Sequence, residues 1–338
     1  KQHGDTVAGK KIEIIRKDNG GMNPAVAKRL SQEVIVRDKA DILAGFDLTP
    51  NAMAASDVSA QAKKFMVIMN AATSIITTKS PYSTRTSMTI AQPTSTLGTW
   101  AAKNGIKRAY TMVADYAPGH DSEEAFKKAF EAGGGKVVGS VRMPVANPDF
   151  SAFVQRAKDL TPEAIFVFVP GGTQPASLAK AFADRGIDPA KVKILTTGEM
   201  VDEKPVASMG NSAIGIISGW HYDIHHDSKL NKEFVKAFND EYHRNPDFFA
   251  VGGYDGMHLI YEALKKTNGD TDAEKLIAAA KGMSWESPRG MIKIDPETRD
   301  IVQTVYIRKV EKVGNNLQNV EFDKIDNVVD PVKAAMKK

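Results

Sequence analysis

Five short stretches pair an apolar run with a turn that can hold a small polar solute. After "ADILAGF" comes "DLTPN", with Leu48 and Thr49; after "FMVIM" comes "NAATS", with Ala71 and Thr73. "YTMVA" leads into "DYAPGH" with Tyr116, "IFVFV" into "PGGTQP" with Thr173, and "KILTT" into "GEM" with Glu199. Four of these turns offer a hydroxyl and the fifth a carboxylate. Small residues let a ligand approach backbone N–H groups, which hold a carboxylate well at a helix start. Any one turn also reads as ordinary cap chemistry. The set, repeated at successive strand ends, points to a binding rim.

Other chemistries lack their residues. "GGMNPA" and "PGGTQP" do not have the G-x-G-x-x-G spacing of a dinucleotide site, and no phosphate-binding G-x-x-x-x-G-K-[ST] occurs. In "WHYDIHHDSK", His221 and His225 have helical i, i+4 spacing, but the segment follows a strand and lacks the glutamate of H-E-x-x-H. A polar loop is the better reading of it. There is no G-x-S-x-G and no cysteine, so neither nucleophile elbow nor thiol chemistry is available. Asp115 and Glu199 are acids at strand ends, but nothing in the sequence brackets a scissile bond between them. The chain is expected to be a non-enzyme with no cofactor and no metal.

Composition agrees. The 45 basic and 41 acidic residues are well mixed, and no basic block with interleaved aromatics stands out, which argues against nucleic acid. No apolar run approaches the roughly 18 residues that a spanning helix needs. At 338 residues the chain has room for two cores.

The elements that must position these turns alternate. "GKKIEIIRKD" reads as a strand; Asn23 and Pro24 then open a helix with Ala27, Leu30 and Val34 on one face. "ADILAGF", "KFMVIM", "KRAYTMVA", "KVVGSVRMP", "EAIFVFV", "KVKILTT" and "NSAIGIISGW" read as strands, several apolar on both faces, and helices separate most of them. That pattern calls for parallel sheets covered on each side, and a doubly wound sheet binds beyond the carboxyl ends of its strands. After Tyr222 three helices follow, then a strand-rich tail with "VGNN" as a hairpin turn.

The ordered series "AGF…TPN", "MNAATS", "RTSMTIAQ", "DYAPG", "VPGGTQP", "TTGEM", "GWHYD", "NPDFFAVGGYDGMHLIYEAL" and "SPRGMIKID" resembles the periplasmic solute-binding proteins of the branched-chain amino acid type, the extracytoplasmic receptors of ABC importers. The likeness runs over essentially the whole chain. It implies an α/β fold of two doubly wound parallel-sheet lobes joined by three crossings, near Ala91, Trp220 and Ile301, and closing on ligand like a clamshell. Lobe one is then 1–90 with 221–301, and lobe two 91–220 with 302–338. The family begins with a strand and helix before the equivalent of "GKKIEII", so lobe one is expected to lack its first strand.

By the same resemblance the ligand-facing residues are Leu48, Thr49, Ala71, Thr73, Tyr116, Thr173 and Glu199. Thr49 supplies a hydroxyl, Ala71 and Thr73 the backbone-and-hydroxyl clamp for a carboxylate, Tyr116 an aromatic face, and Glu199 the acid that meets an ammonium. Thr173 stands where the family has a bulky aromatic, and Leu48 where small polar residues are common. Both suit a ligand bulkier or less amino-acid-like than valine. The expected function is an exported, periplasmic, monomeric receptor that delivers a small hydrophobic carboxylate to an ABC permease. An amino acid is ranked just ahead of an aromatic acid. A ligand-sensing regulatory domain of the same fold, or an enzyme, is the rival.

Overall fold

A computed structural model of the chain describes residues 4–336. Contacts divide it into two compact units: everything up to Thr89 with Phe248–Gln303, and Ile90–Asp247 with Thr304–Met336.

The first unit begins with a small antiparallel pairing of β1 (Thr6–Val7) and β2 (Lys10–Lys11). The strand expected over "GKKIEIIRKD" stops at Lys11: residues 12–20 join no ladder, and Ile14 is 60% exposed. An apolar run without a neighbour to take its backbone hydrogen bonds does not make a strand. Helix α1 (Pro24–Val36) starts as read, with Asn23 Oδ1 accepting from the Val26 amide at 3.2 Å and Ala27 and Val34 buried. Strand β3 (Ile42–Gly45), helix α2 (Thr49–Ala62), β4 (Phe65–Ile68) and β5 (Ser83–Arg85) follow. The three strands form a parallel sheet in the order β3-β4-β5. Every residue of β4 is buried, and its side chains alternate between two cores. Met66 and Ile68 pack with Leu43, Ala52 and Ile76, whereas Phe65 and Val67 pack with Leu259 and Leu276. This two-sided burial is why the run is continuously apolar.

The second unit carries the longer alternation: α3 (Ala91–Lys103), β6 (Arg108–Ala114), α4 (Ala117–Ala132), β7 (Lys136–Met143), α5 (Phe150–Asp159), β8 (Ala164–Phe168), α6 (Gln174–Asp184), β9 (Lys193–Thr197), α7 (Glu203–Met209), β10 (Ile217–Trp220) and α8 (Lys229–Tyr242). Its strands lie in the order β10-β9-β8-β6-β7, all parallel. On β8, Ile165 and Val167 enter a core with Leu178 and Ile194, while Phe166 stacks on Phe126 of α4 at 4.4 Å.

The chain then returns to the first unit as α9 (Phe248–Lys266), α10 (Ala273–Ala280), β11 (Ser284–Ser287) and β12 (Gly290–Ile294). Strand β13 (Ile301–Val313) pairs through Ile301 and Val302 with β12 in the first unit, and through Tyr306–Lys309 with β10 in the second. Strand β14 (Asn316–Val328) pairs with β13 across the "VGNN" turn, and α11 (Pro331–Met336) is the last described element.

The divisions fall at Thr89/Ile90, Asp247/Phe248 and Gln303/Thr304. The second falls at Asp247/Phe248 rather than near Trp220, so residues 221–247 group with the second unit. Hydrogen bonds explain it: Arg308 donates to Tyr222 O and Asp223 Oδ2 at 2.8 and 2.9 Å, and Asn245 donates to the Glu203 carboxylate at 2.9 Å.

Candidate functional site

In the first unit β3 and β4 end side by side, with Gly45 opposite Ile68, so the turns that follow them meet. Thr49 opens α2, and Thr73 precedes a short 3-10 turn, Ser74–Thr78; their exposures are 6% and 4%. The Thr49 hydroxyl donates to Thr73 Oγ1 at 3.1 Å. A hydroxyl that accepts one hydrogen bond keeps its own proton to donate, and the bond it accepts strengthens the one it gives. Thr73 is thus set up as a donor to an anion beside a helix start.

Ala71 plays a different part from the one expected. Its amide donates to Phe46 O and its carbonyl accepts from Arg85 Nη1, each at 2.9 Å, so its backbone is already engaged and does not supply the clamp. What remains is its small size. Leu48 is partly buried just before α2, its amide held by Asp47 Oδ1 at 2.8 Å. Sequence reasoning missed Arg85. Fully buried, it donates to the carbonyls of Ala71 and Thr73, both at 2.9 Å, and pairs with Asp300 at 3.1 Å. Arg85 holds the Thr73 loop in shape.

In the second unit Tyr116 stands immediately before α4, and its ring stacks on Phe168, the last residue of β8, at 6.1 Å. Burial and the Glu199 charge push the Tyr116 phenol well above its usual range, so it stays a neutral donor. Glu199 lies on a 3-10 turn, Gly198–Val201, that leaves the end of β9. It is partly buried, and its Oε2 is sealed from water without a hydrogen-bond partner. Burial, reinforced by the nearby Asp202, raises its carboxyl to about 7. Asp202 is itself raised to about 7, first by burial, against the opposing pull of Arg308.

The Trp220 indole covers Gly198. A Cβ on Gly198 would lie 2.1 Å from Trp220 Cγ, so only glycine fits there. The Thr197 and Tyr222 hydroxyls are likewise buried without partners. Phe168, Thr197 and Tyr222 were not singled out from sequence, although their positions at or just past strand ends were the available signal. Thr173 precedes α6 and is exposed, and no described contact joins it to Tyr116 or Glu199.

A cavity of about 540 Å³ in the second unit includes none of the seven expected residues. Its lining, with Phe182, Ile187, Lys193, Ile194 and Ile216, lies at the starts of β9 and β10, whereas Thr197 and Glu199 lie at the other end of β9. Strand-end chemistry, not volume, marks the candidate site.

The histidine-rich loop is built into the second unit. Asp223 is held by Arg308 at 2.9 Å, and His226 meets Glu321 at 3.0 Å. No group of three or more His, Cys, Asp or Glu among the described residues is placed to hold a metal. No described helix is long and apolar enough to cross a membrane.

Comparisons with known proteins give the family of the chain. The sequence profile of the family described as periplasmic binding protein matches residues 2–315. Leu/Ile/Val-binding protein homolog 6 of Brucella melitensis is 40% identical over 334 residues, covering 98% of this chain and 85% of that protein. The crystal structure of a solute-binding protein of an ABC transporter from Rhodopseudomonas palustris BisB5, in complex with 3,4-dihydroxybenzoic acid, is 54% identical. It superposes with a TM-score of 0.93 over 98% of this chain and 91% of that one. A second such protein, from R. palustris HaA2 and in complex with p-hydroxybenzoic acid, is 44% identical, with a TM-score of 0.95 over 99% and 91%.

Proposed function

Because the chain belongs to the periplasmic binding protein family, we propose that it is a receptor that binds a small hydrophobic carboxylate and passes it, chemically unchanged, to the permease of an ABC importer. It works as a monomer in the periplasm. The aromatic-acid class is taken ahead of the amino acids, reversing the order suggested by sequence. The observation that carries this choice is the aromatic pair Tyr116 and Phe168 beside an acid with no cation, read with the aromatic ligands of the 54% and 44% identical relatives.

In this reading the ligand contacts come from Leu48, Thr49, Ala71, Thr73, Tyr116, Thr173 and Glu199. The Thr73 hydroxyl, supported by Thr49, anchors the carboxylate, with Ala71 leaving room for it. Tyr116 lies against the ring. Binding selects one arrangement of the protein through contacts that the other lacks.

A thermal-shift series with benzoate, 4-hydroxybenzoate, 3,4-dihydroxybenzoate, leucine and valine tests the class, since a ligand bound only by the folded form raises the melting midpoint. The aromatic acids should raise it and be recovered intact by mass spectrometry. A shift with the aliphatic amino acids alone overturns the aromatic choice. Conversion of a bound acid overturns the receptor.

A further inference from the structure

We infer that Glu199 meets its ligand as an uncharged carboxyl, so that the site reads a hydroxyl on an aromatic acid and takes up a proton when it binds one. This rests on the aromatic-acid reading above and specifies its chemistry.

The surroundings of Glu199 carry the inference. Oε2 is buried without a donor, and the one charged group acting on the carboxyl is another acid, Asp202. The turn that carries it packs against α7, β9 and β10. Just past its own turn comes Asp202, a second buried acid whose carboxyl is also raised to about 7, and from the start of α4 the neutral Tyr116 phenol. Helix α7 brings Glu203, hydrogen-bonded to Asn245, and Lys204, which is exposed. Strand β9 has its lysine, Lys193, at the far end, and β10 presents the Trp220 indole, with His221 next in sequence. Arg308 is a buried cation nearby: its Nε and Nη1 are held by Ser218, Tyr222 O and Asp223, its Nη2 has no hydrogen-bond partner, and its charge pulls on Asp202 rather than on Glu199. An ionised Glu199 here is buried beside a second acid and makes no ion pair, which is the costly arrangement. The raised titration of Glu199 follows from the same environment.

A neutral carboxyl offers one O–H donor and one carbonyl acceptor, the complement of a phenolic hydroxyl, which accepts once and donates once. It also adds no repulsion against a ligand that is already an anion. An ammonium has three donors, a charge and no acceptor, and its best partner is the ionised form. The two ligand classes therefore give opposite pH dependence through the titration of one residue. A hydroxybenzoate binding the protonated form draws a proton from solvent when Glu199 starts ionised. An amino acid binding the ionised form releases one when Glu199 starts protonated.

The test is isothermal titration calorimetry of the full chain with 4-hydroxybenzoate and with leucine between about pH 6 and about pH 9, in buffers of different ionisation heat. Above about pH 7 the 4-hydroxybenzoate affinity should fall by up to about tenfold per pH unit, with proton uptake visible as a buffer-dependent heat. Glu199→Gln, which keeps a donor and an acceptor but cannot ionise, should remove both the slope and the uptake. Asp202→Asn removes the neighbouring charge and should move the break in the profile to lower pH. A flat or rising wild-type profile for 4-hydroxybenzoate overturns the inference while leaving the receptor in place. So does leucine bound more tightly as pH rises with 4-hydroxybenzoate not bound. No binding heat from any acid at any pH overturns the receptor reading, and this inference with it.

Discussion

Thr73, buried, and Glu199, partly buried, follow strand ends and differ in what they can offer a ligand. Thr73 has a relay of one hydroxyl behind it and a helix start beside it, and its loop is fixed by Arg85. Replacing Thr73 by alanine should weaken carboxylate binding by about 1–3 kcal/mol, the cost of removing a hydrogen bond to a charged group. Calorimetry with the ligand that gives the largest thermal shift measures it, and an unchanged affinity removes Thr73 from the site. Glu199 should also leave a mark on the ligand-free protein. Its carboxyl releases its proton near 4.5 when unfolded and near 7 when folded. Between those values the folded state holds more protons than the unfolded one, so its contribution to stability falls as pH rises and is constant above about 7. The whole span is worth roughly 3 kcal/mol. The melting midpoint of Glu199→Gln should consequently drop less between about pH 5 and about pH 7 than that of wild type; equal drops would place Glu199 in water.

At the scale of elements, what was legible in the sequence were the strands and helix starts whose local chemistry agrees with their place in the fold. Asn23-Pro24 caps and opens α1 as read, and "FMVIM" is apolar throughout because both of its faces are covered. What was not legible depended on partners far away in sequence. The stretch "GKKIEIIRKD" has strand composition and no described strand to pair with beyond Lys11. Strand β5 (Ser83–Arg85) was not recognised because its residues are polar, yet all three are buried, Arg85 by its hydrogen bonds to loop carbonyls and Asp300. Helix α3 hides in the hydroxyl-rich "AQPTSTLGTWAAK", where Thr94 and Thr96 are buried rather than solvated. The strand ends pointed to Thr73 and Glu199 as candidates, but no local pattern could announce that Ala71's amide is spent on Phe46. Two glycines separate local propensity from packing. Gly198→Ala forces a methyl into Trp220 and should cost about 1–3 kcal/mol, as overpacking does. Gly253→Ala, within α9 with nothing inside 4 Å of its new methyl, should stabilise by about 0.5–1 kcal/mol. Thermal denaturation of the pair distinguishes them by sign.

The molecule as a whole is two units, and in each a buried arginine ties separate segments together. In the first unit Arg289 pairs with Asp255 at 2.8 Å and donates to Gln303 and to the carbonyls of Thr86 and Ser87. It thereby ties the segment that returns at Phe248 to the segment that left at Thr89. In the second unit Arg308 pairs with Asp223 at 2.9 Å and donates to Ser218 Oγ and Tyr222 O, binding β13 to the end of β10. Neither arginine is exposed, and each satisfies acceptors inside its unit. Loss of one partner from such a buried pair costs about 3–5 kcal/mol, because the other charge is left without compensation. With separate cores, that loss should be local. Calorimetry of the ligand-free chain should show Arg289→Ala lowering the transition of the first unit and Arg308→Ala that of the second. Limited proteolysis would identify which unit opens in each variant. Should both substitutions shift one common transition by the same amount, the two cores unfold as a single cooperative body. The receptor would then need to be understood as one folding unit rather than two.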